Sequence, residues 1–140
     1  MKRIISTTEA PAAIGPYSQA VRAGSLVFCA GQVPLDPQSG QIVSEDIVEQ
    51  TKRVLDNVTA ILKAEGMTMA NVVKTTVFLA DFGDFGKMNE VYATYFPENP
   101  PARSTVGVST LPKNARVEIE AIAYDSAFGG GKSASDVLGE

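Results

Sequence analysis

The residues equipped for chemistry in this 140-residue chain are few, and those it lacks narrow the field first. It has no histidine, which excludes Ser-His-Asp and Cys-His nucleophile pairs, a histidine general base and every histidine-ligated metal site. Its single cysteine, Cys29, excludes an intrachain disulfide and any multi-cysteine zinc or iron–sulfur cage. Cys29 lies in an apolar run with no basic neighbour to lower its pKa, so it reads as a buried, inert thiol. Chemistry is left to carboxylates, Arg, Lys, Tyr, amides, hydroxyls and the backbone.

Two places stand out. Arg103 follows Pro100-Pro101-Ala102; it is either a surface loop cation or, in a rigid proline-flanked turn, a guanidinium set for bidentate capture of a carboxylate. In the run Arg116 to Tyr124, alternation puts Val117, Ile119, Ala121 and Ala123 on one face and Arg116, Glu118, Glu120 and Ile122 on the other. Those carboxylates are either solvated or, where that face meets a partner, in need of a counter-group or a function. A third place is a decoy. Gly129-Gly130-Gly131-Lys132-Ser133 resembles the end of a phosphate-binding loop, but Ser126 stands where its first glycine belongs, and too little chain follows for the helix.

The elements that must position these groups follow from periodicity. Lys2 to Ser6 is a candidate strand, and Gln19–Ala23 and Leu26–Ala30 flank Gly24-Ser25 at hairpin spacing. From Asp46 to Glu65 the apolar period becomes helical, with Ser44 or Asp46 as cap and Gly66 as the left-handed stop. Val73–Ala80 reads as a strand; Phe85, Met88, Tyr92, Tyr95 and Phe96 mark a second helix capped by Asp81 or Asp84 and ended by Pro97. Ser104–Thr110 and Arg116–Tyr124 complete the set as strands around a turn at 111–114. The order β-β-β-α-β-α-β-β predicts an α+β fold with two helices on one face of a mixed sheet. Residues 1–125 form one domain in this reading, and 126–140 a flexible tail rich in Gly, Ser and Ala.

Pairing the last two strands as a hairpin, with Thr110 opposite Arg116, sets Glu118 opposite Val108 and leaves Arg103 roughly 17 Å further along. Arg103 and Glu118 should then serve one small ligand only from different subunits. A second observation also reaches past the monomer. Leu26–Ala30 is apolar on both faces, and two helices cover only one, so the other predicts a homo-oligomer. With 12 Lys+Arg against 16 Asp+Glu, general affinity for nucleic-acid phosphates is not expected. No apolar stretch approaches the ~20 residues of a membrane span and Lys2-Arg3 opens no signal peptide, which predicts a cytoplasmic protein.

Several ordered motifs resemble the Rid family (reactive intermediate deaminases, formerly YjgF). They are 10–19 (APAAIGPYSQ), 30–37 (AGQVPLDP), 74–79 (KTTVFL), 85–89 (FGKMN), 101–106 (PARSTV), 111–113 (LPK) and 117–121 (VEIEA), colinear over about residues 2 to 125. The resemblance implies a chorismate-mutase-like α+β fold, a homotrimer with ligand clefts between subunits, and hydrolysis of 2-imino acids to 2-oxo acids and ammonia without metal or organic cofactor. By position it implies that Arg103 binds the substrate carboxylate, Glu118 orients or activates water, and Tyr17 closes the pocket. Gly31 would supply backbone contacts and Asn89 would line the cleft. This chain departs from the family at Thr105, where many members have cysteine, so its hydroxyl rather than a thiol would meet a ligand. It departs again at Ala30, where serine is frequent, and in its longer tail. A non-catalytic trimer binding small 2-oxo acids, and a ribonuclease or translation inhibitor, are the competing readings.

Overall fold

The computed structural model of the protein describes residues 2–126. Its strands are β1 (Lys2–Ile5), β2 (Ala20–Ala23), β3 (Leu26–Gln32), β4 (Val72–Leu79), β5 (Ala102–Gly107) and β6 (Val117–Tyr124), with helices α1 (Ile47–Lys63) and α2 (Phe85–Tyr95). The element order expected from periodicity is the order observed. One six-stranded sheet runs β1-β2-β3-β6-β4-β5, antiparallel throughout except for the parallel β4–β5 pair. Local signals hold. Gly24 turns the β2–β3 hairpin at φ +62°, the left-handed region that a two-residue turn asks of glycine. Asp46 accepts the Glu49 N–H at 3.0 Å to cap α1, and Gly66, at φ +74°, ends it.

The expected hairpin of the last two strands is overturned. β5 pairs in parallel with β4, Thr75 against Arg103, while β6 inserts between β3 and β4, Phe78 against Glu118. The chain from β5 therefore crosses the end of β4 before entering β6. Burial explains the choice. Val117, Ile119, Ala121 and Ala123 are buried beneath the helices and need neighbours on both sides, whereas β5 has no fully buried residue and suits an edge. The β4-α2-β5 segment is a parallel crossover unit, which makes β4 the natural neighbour of β5.

Both helices cover one face. Val54, Leu55, Val58, Ile61 and Leu62 of α1 and Met88 and Tyr92 of α2 join Val27, Val77 and the apolar face of β6 in one core. Asp81 caps the short turn Phe82–Asp84 through the Gly83 N–H. Asp84 precedes α2 but makes no capping bond, because Arg116 takes its carboxylate in a two-pronged pair at 3.0 and 3.1 Å. On the opposite face Leu26 and Phe28 stay 37% and 42% exposed, as the doubly apolar run foretold. Cys29 is buried, and burial pushes its thiol up to about 12, which agrees with an inert cysteine. Among the described residues no helix is long and apolar enough to cross a membrane. The glycine-lysine decoy, and all of the expected tail except Ser126, lie outside the described residues.

Candidate active site

Two clefts, one on each side of the sheet, collect most of the candidate residues. The first, about 340 Å³, is lined by Ile14, Tyr17, Gly31, Leu35, Lys113 and Glu118 among others. The second, about 250 Å³, is lined by Asn89, Tyr92, Ala93, Phe96, Pro101 and Arg103 among others.

Glu118 is central to the first. Its strand position points it away from the helices, half-buried, and among the described residues it has no hydrogen bond or ion pair. Burial raises its pKa above the usual carboxylate range, and the neighbouring Glu120 raises it further. An unpartnered, partly desolvated carboxylate is a stronger base than one in water, and its oxygens are free to hold a water molecule. Gly31 makes room for it. Pairing shifts between Cys29 and Gln32, so that Ala30 and Gly31 together oppose Glu120, a bulge in β3. A Cβ at Gly31 would collide with Glu118 Oε2 and lie 2.9 Å from Cδ. Only glycine lets this strand pass so close to the carboxylate.

Tyr17 forms the rim, 52% exposed, its hydroxyl accepting the Ile14 N–H at 3.4 Å. The loop that carries it is held by Gln19, a buried amide that sequence reasoning placed only in a strand. Gln19 Nε2 donates to the carbonyls of Thr7, Ala10 and Pro11, and Oε1 accepts the Thr7 N–H at 2.7 Å. Alternation along a strand did not reveal it, because its partners all lie in an irregular loop.

In the second cleft the Arg103 guanidinium carbon lies over the Tyr92 ring, 4.6 Å from its centroid, and 5.6 Å from that of Phe85. Among the described residues no group hydrogen-bonds or ion-pairs with it, so its donors remain available to an anion. Asn89, exposed on α2, shares this cleft one helical turn before Tyr92. Thr105 follows Arg103 on the same face of β5, partly buried, and lines neither cleft.

One chain does not bring Arg103 to Glu118. Their β4 partners, Thr75 and Phe78, are an odd number of residues apart, so the two side chains leave opposite faces of the sheet. Two strand spacings and three residues also set their backbones roughly 14 Å apart. The separation expected from sequence therefore holds, though for a different reason from the hairpin register. Tyr17, Gly31 and Glu118 form one half of a site; Asn89 and Arg103 form another.

The family model described as Endoribonuclease L-PSP matches residues 7–125. The chain belongs to this family. A mouse protein named 2-iminobutanoate/2-iminopropanoate deaminase is 55% identical over 128 residues, which cover 91% of this chain and 95% of that one. A Yersinia pestis structure described as of the conserved Rid protein family superposes with TM-score 0.85 at 46% identity, covering 89% of this chain and 99% of that one. The Escherichia coli protein TdcF, solved with bound serine, gives the same TM-score, identity and coverage. The Rid resemblance drawn from the motifs and the mixed sheet with its two helices are thus both borne out.

Proposed function

We propose that this Rid protein hydrolyses reactive 2-imino acids, 2-iminobutanoate and 2-iminopropanoate among them, to 2-oxo acids and ammonia. Its site would be completed between copies in a cytoplasmic homotrimer. The observation that carries this is the split site: a carboxylate, Glu118, in one cleft and a guanidinium, Arg103, in another on the far side of the sheet, each without a hydrogen-bond or ion-pair partner among the described residues. A second copy packed on the exposed Leu26 and Phe28 face would bury apolar surface and can bring one chain's Arg103 to its neighbour's Glu118.

The chemistry asks little of the protein. The imine carbon is already electrophilic, so the requirement is a positioned water and a place for the moving protons. Arg103 would take the substrate carboxylate bidentately, with Asn89 beside it, and Thr105 would offer a hydroxyl to the same carboxylate. Glu118, below Gly31, would hold the attacking water and accept its proton as oxygen adds to the imine carbon. Returned to nitrogen, that proton completes a carbinolamine; transfer of the new hydroxyl's proton to the same nitrogen, again by way of Glu118, makes ammonia the leaving group as the carbonyl forms. Tyr17 would cover the cleft, keeping the water ordered and the carboxylate's base strength high.

The bound serine of TdcF favours one other reading, a trimer that holds small amino or oxo acids without turnover. Phosphodiester cleavage, suggested by the family description, is disfavoured by the acidic charge balance and by the absence of histidine from the chain. The deciding experiment couples a threonine dehydratase to this protein and follows imine decay. Acceleration that disappears in Arg103→Ala supports the deaminase; 2-oxobutanoate binding without acceleration establishes the binding trimer instead.

A further inference from the structure

Tyr92 is buried and touches neither Glu118 nor the water that the proposed reaction needs, yet it has a connected set of contacts centred on Arg103. Its ring lies beneath the guanidinium at 4.6 Å, and its hydroxyl is 2.7 Å from that of Thr75. Thr75 is only 1% exposed, and it is also the residue paired with Arg103 across the parallel β4–β5 ladder. Backbone pairing and side-chain contact thus close a ring running Arg103, Tyr92, Thr75 and back to Arg103. Phe96 packs on the other part of Tyr92, centroids 4.6 Å apart, and Phe85, two helical turns earlier on α2, adds a second ring 5.6 Å from the guanidinium.

We infer that Tyr92, fixed by Thr75, is the positioning residue for Arg103: an aromatic platform that holds the guanidinium where its edge can meet the substrate carboxylate. An arginine on an edge strand has a long, flexible side chain, and no carboxylate among the described residues restrains this one. A π-face attracts the cation without consuming an N–H donor, so the forked edge stays free for bidentate binding. An acidic residue in the same place would hold Arg103 as firmly but would occupy the donors that the substrate needs. The Tyr92–Thr75 bond anchors the far end of the side chain, so that the ring does not swing away from the guanidinium. This inference rests on the reading of Arg103 as the carboxylate ligand.

The test measures steady-state imine hydrolysis and 2-oxobutanoate binding in the full chain. Tyr92→Met, which removes the ring but keeps a flexible apolar side chain in its place, should raise KM and the 2-oxobutanoate dissociation constant by about fivefold to thirtyfold, the worth of one cation–π contact. Its kcat should stay within about threefold, because the chemical step is untouched. Tyr92→Phe keeps the platform and should restore KM to within about threefold of wild type. In an Arg103→Ala background, read by residual 2-oxobutanoate affinity because turnover is lost, Tyr92→Met should add nothing, since the two residues act as a unit. Progressively fluorinated phenylalanines at position 92 keep the shape while weakening the ring's negative face. KM should therefore climb along that series, a trend that a purely structural role would not produce. A flat series overturns the inference even where Tyr92→Met fails to fold, as does a Tyr92→Met effect that persists in full without Arg103. If Arg103→Ala itself leaves KM and binding unchanged, the carboxylate role fails and the platform with it. If Arg103→Ala abolishes binding while the ring series is flat, only the platform fails.

Discussion

Gly31→Ala is the sharpest perturbation of the proposed site, because it adds one methyl group and its consequence can be worked out from distances. A Cβ at 31 overlaps Glu118 Oε2 and would lie 2.9 Å from Cδ and 3.1 Å from Cγ. The strand has little room to retreat, since Cys29 and Gln32 on either side of the bulge are paired with β6. The carboxylate must therefore swing out of its place. Among the described residues it makes no hydrogen bond there, so little stability goes with it, less than about 1 kcal/mol. Activity should respond very differently. A displaced general base forfeits about a hundredfold or more in kcat/KM. Displacement into water should also relieve the burial that raises the Glu118 pKa, moving the acid limb of any residual pH–rate profile downward. Imine-decay kinetics across pH, with a thermal melt on the same sample, measure both quantities. Gly31→Ala/Glu118→Asp, whose shorter side chain removes the overlap at the Oε2 site and leaves only the closer-than-ordinary contacts at the Cγ and Cδ sites, should recover part of the rate. Wild-type kcat/KM in folded Gly31→Ala would refute the account of Glu118 as the water-holding base.

Other consequences can be checked separately. Glu118→Gln should raise the melting temperature at neutral pH. A raised native pKa means that the native state binds the proton more tightly than the unfolded chain, so wild-type stability falls as pH rises through it; the variant's advantage should vanish on acidification. Glu65 behaves oppositely: burial pushes its carboxyl up, but hydrogen bonds from Arg3 and Arg22 outweigh burial and hold it below the usual range. Its stabilisation is present above the unfolded-state pKa and lost as pH falls through the lower native one. Glu65→Gln, read by urea titration at neutral pH, should therefore cost about 2 kcal/mol, a difference that shrinks in acid. Phe28→Asp, on the exposed face of β3, should yield a folded monomer without imine hydrolysis; light scattering showing an unchanged oligomer would remove that face from the proposed interface.

Whatever depends on near neighbours in the chain was legible in the sequence. The α1 cap at Asp46, the glycine turn at Gly24, the stop at Gly66 and the alternation of β6 are each decided within a few residues, by periodicity, capping and left-handed backbone. Family membership was legible for the same reason, in motifs that are runs of adjacent residues. The doubly apolar β3 also announced, before any coordinates, that one sheet face would lack a cover.

What tertiary structure decided is everything that depends on competition between distant segments. β6 could have paired with β5 as a hairpin on local grounds; it enters the centre of the sheet instead, because its buried face has more to gain there than that of β5. That choice sends Arg103 and Glu118 out of opposite faces. It also lays the β3 bulge against Glu118, so the need for glycine at position 31 rests on a side chain 87 residues away. The Tyr92 platform and the Gln19 clamp belong to the same class. Each unites residues with no periodic relation in sequence, and close packing alone brings them together.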